Sequence, residues 1–250
     1  MQIVFFTALG VGGATILGAV IGFLVKNPSP RLSDIILSFA AGVMLSASVT
    51  GLILPSLEFG GSAAILITVA GVFAGAVLLN LMEKALPFLQ RLSGIEASCD
   101  KSERINKVLL FVLAIAIHNL PEGIAAGVGF GTGDTAQAIT VAIGIALQNI
   151  PEGMVIIAPM LSLGISAKRT FVTALTTGLI EVVGTMIGYF AVSLSQAILP
   201  FALAYAGGTM LYVIVDEMIP ETHSKKNAKT AGYSLLAGYC IMLATSWLMA

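Results

Sequence analysis

Eight times along its 250 residues the chain runs apolar for long enough to cross a bilayer, at roughly 2–25, 32–57, 62–86, 106–130, 137–161, 169–195, 198–219 and 230–249. A helix needs about 20 apolar residues to span the hydrocarbon core. Inside lipid every backbone polar group must be satisfied internally, so stretches of this length can only be helices. Composition agrees: 57% of residues are hydrophobic and 10% charged, against about a quarter charged in an average soluble domain. These features predict an all-α integral membrane protein with eight transmembrane helices in one domain over 1–250. The only long polar gap is a linker at 87–105.

The charges sort by side. Lys26 and Arg31 follow the first span, Lys84, Arg91, Lys101, Arg104 and Lys107 surround the gap after the third, Lys168 and Arg169 follow the fifth, and Lys225, Lys226 and Lys229 follow the seventh. All 12 Lys and Arg residues thus fall on odd connections. Basic connections stay in the cytoplasm, so both termini are expected outside the cytoplasm. The first span has no basic start and meets its first charge at Lys26, which favours a transmembrane helix over a signal peptide. Cys99 is expected in the linker and Cys240 in the last span, both as free thiols. No basic, aromatic surface points to nucleic acid.

Within the apolar spans the chain twice writes a polar motif, HNLPEG at 118–123 and QNIPEG at 148–153. Residues three or four apart share a helix face, so Glu122 can serve a site with His118 and Asn119, and Glu152 one with Gln148 and Asn149. Each proline removes a helical hydrogen bond, which is expected to free the carbonyls of Ile117 and Leu147. A third carboxylate, Glu181, lies in the sixth span. An ionisable group at a helix centre costs about 2.5–3.5 kcal/mol on the insertion scale, so three would cost on the order of 10 kcal/mol without compensation.

Protonation, hydrogen bonds between helices and a shared divalent cation could each offset that cost. The convergence of three carboxylates, one histidine and repeated amides favours the cation. Imidazole with carboxylate suits Zn²⁺, Fe²⁺ or Mn²⁺ better than Ca²⁺ or Mg²⁺. Weak amide ligands suit a site that releases its ion, whereas structural zinc prefers Cys and His. An intramembrane di-iron enzyme would be expected to bring a histidine from each of two helices. This chain has two histidines in all, and only His118 lies well inside a span.

These paired motifs, together with AAGVM in the second span, Glu181 and the DEMIPETH ending of the seventh, resemble the ZIP family of divalent metal transporters, and its bacterial GufA-like branch in particular. The resemblance covers nearly the whole chain. It implies a 3+2+3 inverted-repeat bundle in the cell membrane, with the bacterial inner membrane as its setting, and transport of Zn²⁺, with Fe²⁺, Mn²⁺ or Cd²⁺ as further cargo, into the cytoplasm. It implies no enzyme activity and no cofactor beyond the transported metal.

By position the resemblance also implies a binuclear centre. One site would use Met44, His118, Glu122, Gln148 and Glu152, and the other Asn119, Glu122, Asn149, Glu152 and Glu181. Met44 reads equally as packing in the second span. Many relatives carry His in place of Gln148 and some carry Asp in place of Asn149, which would loosen zinc preference here. Asp216, Glu217, Glu221 and His223 form either a solvated helix end or a metal relay at the cytoplasmic exit. A metal-selective channel is the alternative to a carrier. Glycine-rich spans permit a homodimer.

Overall fold

A computed structural model describes residues 1–25, 28–92, 102–223 and 227–249. Among the described residues there is no strand. The chain forms α1 (Gln2–Val25), α2 (Pro30–Phe59), α3 (Ala64–Leu92), α4 (Ser102–Gly129), α5 (Thr135–Ser162), α6 (Ala167–Leu194), α7 (Gln196–His223) and α8 (Ala228–Met249). Over the described residues, seven contain a stretch long and apolar enough to cross a membrane. The eighth long helix is α4, with the same 28 residues as α5 and α6.

Local chemistry sets the starts. Ser29 accepts a hydrogen bond from the Leu32 amide at 3.2 Å with Pro30 at the first helical position. Asp134 accepts from Gln137 at 3.0 Å and Ser166 from Arg169 at 3.4 Å; each satisfies an amide that a helix start leaves unpaired.

The structure refines the sequence reading in three places. First, α3 runs to Leu92 and α4 starts at Ser102, so the described parts of the linker expected at 87–105 are helix; 93–101, with Cys99, lie outside the described residues. Once a helix has formed, adding a residue at its end costs little. Second, Pro121 and Pro151 sit inside unbroken helices, so the loss of one hydrogen bond at each does not interrupt the span. Third, α2 and α7 each contain a π-helical turn, over Val49–Ile53 and Ile214–Met218. Such a turn inserts one residue and re-aims the side chains after it.

The eight helices sort into two groups by how closely their backbones approach. In the first group α1 packs on α5 and α6, and α4 packs on α6. In the second, α2 packs on α8 and α3 on α7. Glycine makes these contacts possible. A Cβ on Gly153 of α5 would lie 2.1 Å from the Thr15 carbonyl oxygen of α1, and one on Gly42 of α2 would lie 1.9 Å from that of Leu235 in α8. Between the groups the fit is looser and made by side chains. Gly144 of α5 faces the Met242 thioether and Ala47 Cβ, and Gly51 of α2 faces Val141.

Large apolar side chains cover the outside, including Leu24, Leu66, Leu194 and Leu248. Tyr233 and Trp247 are exposed near opposite ends of α8, where amphipathic rings favour the two membrane–water interfaces. Cys240 is a free, exposed thiol.

Candidate metal centre

Glu181 sits at the middle of the first helix group and is fully buried. Its Oε1 accepts from the Thr15 hydroxyl of α1 at 2.8 Å and from Asn119 of α4. Its Oε2 accepts from Asn149 Nδ2 of α5 at 2.6 Å. The asparagines of the two repeated motifs therefore converge on one carboxylate. Their glycines explain the convergence. A Cβ on Gly123 would collide with the Glu181 carbonyl at 2.3 Å, and one on Gly153 with that of Thr15. Each motif thus packs its helix against the partner that its asparagine serves, directly for α4 and through Thr15 for α5.

Beside this network lies a group of buried polar atoms, most of them oxygens, that make no hydrogen bond. Both carboxylate oxygens of Glu122, the Oδ1 atoms of Asn119 and Asn149, and the whole amide of Gln148 are buried without a hydrogen-bond partner. Glu122 has Glu152 and Glu181 as charged neighbours and Gln148 beside it. Orphaned buried polar atoms cost about 1–3 kcal/mol each, more when charged. A cation coordinated by these oxygens removes that cost. The donor set fits a divalent ion: carboxylates for charge, amides as neutral ligands that let go.

Glu152, in turn, faces His118 and Glu217. His118 Nε2 stands 2.9 Å from Glu217 Oε1 and 3.3 Å from Glu83 Oε1, and the ligand atoms of the three residues lie within 4.8 Å of one another. His118 belongs to the first helix group and the two carboxylates to the second, so this cluster bridges the looser seam. Glu217 lies within the π turn of α7. Asn80, one turn before Glu83 on α3, donates to the Tyr212 hydroxyl of α7 and ties together the helices that carry the two carboxylates.

From this cluster a cavity of about 410 Å³ opens outward. Its lining includes His118, Glu152, Asp216, Glu217 and Glu221. Leu37, Ile115, Val155 and Pro220 place its mouth toward the ends of α2, α4, α5 and α7 that join the basic connections.

Of the residues singled out in the sequence, Asn119, Asn149 and Glu181 meet in one network, and Glu122, Gln148 and Glu152 adjoin it. His118 is turned to Glu83 and Glu217. Met44 is fully buried in the apolar core with Leu52, Ile145 and Met210. Glu217 and Asp216 line the cavity, as does Glu221, while His223 Nδ1 is held at the end of α7 by the Thr222 hydroxyl at 3.0 Å and the Ile219 carbonyl at 3.2 Å. Two residues of these polar clusters escaped the sequence reading. Glu83 looked like an ordinary charge beside Lys84 at a span end. Thr15 looked like one small residue among glycines and alanines.

Fold and site together define a multi-pass membrane protein with a buried cluster of carboxylate, imidazole and amide groups of the kind that could hold a metal ion. The sequence profile of the ZIP zinc transporter family matches residues 91–246. Zinc transporter GufA of Myxococcus xanthus is 37% identical over 94% of this chain and 94% of its own length. Zinc transporter ZIPB of Bordetella bronchiseptica is 35% identical over 92% of this chain and 76% of its own length. Zinc transporter ZupT of Chlorobaculum parvum is 32% identical over 95% and 94%. This chain belongs to the ZIP family.

Proposed function

We propose that the chain is a carrier that moves Zn²⁺ into the cytoplasm of a bacterial cell, with Fe²⁺, Mn²⁺ or Cd²⁺ as further cargo. It is a transporter, not an enzyme. The observation that carries this reading is a continuous line of metal-ligating side chains. It starts at Glu122, passes Glu152 and His118, and ends at Glu83, Glu217 and the cavity lined by Asp216 and Glu221. Basic connections at the cavity's end support a cytoplasmic mouth. The route is then open inward, and both termini lie outside.

In this reading, Glu122, Glu152 and the amide oxygens replace the ion's hydration shell at mid-membrane, and the His118 cluster takes it on toward the exit. The looser seam supplies the motion. The first helix group carries Glu122, Glu152 and His118, whereas the second carries Glu83 and Glu217, so movement of one group against the other alternates access and breaks or forms the His118 cluster. The 3+2+3 inverted-repeat order and a single domain over 1–250 belong to the same proposal. A homodimer would use surface that the internal packing leaves open, such as that beside Gly10 and Gly13.

Zinc uptake into proteoliposomes tests the reading. Flux that saturates at low Zn²⁺ and falls as pH drops is expected, because protons compete for the carboxylates and for His118. Linear, very fast flux would establish a channel instead, and absence of Zn²⁺ flux would overturn the proposal.

A further inference from the structure

The two asparagines are fixed in one orientation by their own hydrogen-bond count. A side-chain amide has two N–H donors on its nitrogen and an oxygen that only accepts. Asn119 Nδ2 donates to Glu181 Oε1 and to the Thr177 carbonyl, the latter at 3.3 Å. Asn149 Nδ2 donates to Glu181 Oε2 and, at 3.3 Å, to the Val11 carbonyl. Both NH₂ groups are fully used. Turning either amide over would set its oxygen against two acceptors at once, so the network decides the orientation. It leaves both Oδ1 atoms turned away from Glu181, buried and without a partner.

Glu181 therefore has three donors around it, the third being the Thr15 hydroxyl at 2.8 Å. The positive ends of three dipoles take three of the roughly four lone-pair directions of the carboxylate, which disfavours a cation bonded to Glu181. Glu122 presents a different environment: neither carboxylate oxygen makes a hydrogen bond, and the Gln148 amide is the polar side chain beside it. Its neighbour Glu152 adds a second carboxylate.

We propose that the mid-membrane centre of this chain binds one divalent cation rather than a pair. The ion is bonded by Glu122 and Glu152 and completed by the amide oxygens of Asn119 and Asn149. Glu181 is a positioning residue that, together with Thr15, holds those two oxygens toward the ion. This deepens the transport reading above and rests on it. It assigns a role to Thr15 and departs from the binuclear arrangement that the family resemblance implies. Asn149 carries the difference: Asp at that position could offer no donor to Glu181 and would add a carboxylate beside it, a pair that itself calls for a cation.

Anomalous scattering from crystals of the full chain loaded with Cd²⁺ locates the ions directly. The expected result is a peak bonded to Glu122 and Glu152 with none bonded to Glu181; an ion at the His118 cluster is counted separately. A second peak bonded to Glu181 overturns the proposal. No peak at Glu122 and Glu152 overturns the mid-membrane reading itself, and this inference with it. Asn149→Asp should gain a peak beside Glu181, and a variant that still lacks one refutes the role given to the amide donors. For the positioning role, Thr15→Val should raise the half-saturating Zn²⁺ concentration about tenfold, and Thr15→Ser should restore it. An unchanged half-saturation in Thr15→Val removes Thr15 from the site.

Discussion

Two carboxylate centres lie close together in this protein and are built on opposite principles. Around Glu181 every partner is neutral, every donor is used, and all the helices involved belong to one tightly packed group. Around His118 the partners are charged, the cluster bridges both helix groups, and it opens on a cavity. In the proposed transport motion, the first arrangement would keep its geometry while the groups move. The second can exist only in one relative position of the groups, as expected of an exit. Glu122 and Glu152 lie between them, and Glu152 is in contact with the electrostatics of both.

If that contrast is right, substitutions should lose function in proportion to their place on the line. Glu152→Ala removes the residue common to both centres and is expected to reduce Zn²⁺ uptake by about 100-fold, the upper end for loss of a metal-site group. Glu217→Gln, which keeps shape and removes charge at the exit, should slow uptake by about tenfold while equilibrium Zn²⁺ binding at mid-membrane is kept. A binding loss equal to the uptake loss would merge the two centres into one.

Smaller effects should separate structure from chemistry. Thr15→Val, apart from its effect on the ion, is expected to destabilise the fold by about 0.6 kcal/mol and at most ~1.7, the range for interhelical hydrogen bonds in a membrane. Unfolding in mixed micelles would measure it. Gln148→His sets an imidazole, a strong metal ligand, where a neutral amide stands beside Glu122. It should narrow the metal range toward Zn²⁺ by a fewfold in competition uptake with Mn²⁺ and Cd²⁺, with little change in stability. An unchanged selectivity profile would take Gln148 out of the ion's path.

How much of this could be read from the sequence depended on whether a residue was out of place in lipid. Glu122, Glu152, Glu181 and His118 stand out because a charge at mid-span needs a reason. The repeat that carries the asparagines stands out because it occurs twice. Thr15 and Glu83 give no such signal, since threonine is ordinary in a membrane helix and a carboxylate beside a lysine is ordinary at its end. Their roles come from helix packing across long stretches of chain, in Thr15's case through contacts that Gly12, Gly153 and Gly178 permit. Glu217 lies in a π turn, which hydrophobic periodicity does not reveal. Helical spacing likewise put His118 with Glu122, whereas the tertiary fold turns it to Glu83 and Glu217.

The most direct test of the central claim is Zn²⁺ uptake by proteoliposomes carrying the chain with Glu122→Ala and Glu152→Ala together, beside the unaltered protein at matched incorporation. Uptake indistinguishable from empty vesicles is the expected result. Saturable Zn²⁺ uptake that survives the loss of both carboxylates would contradict the account.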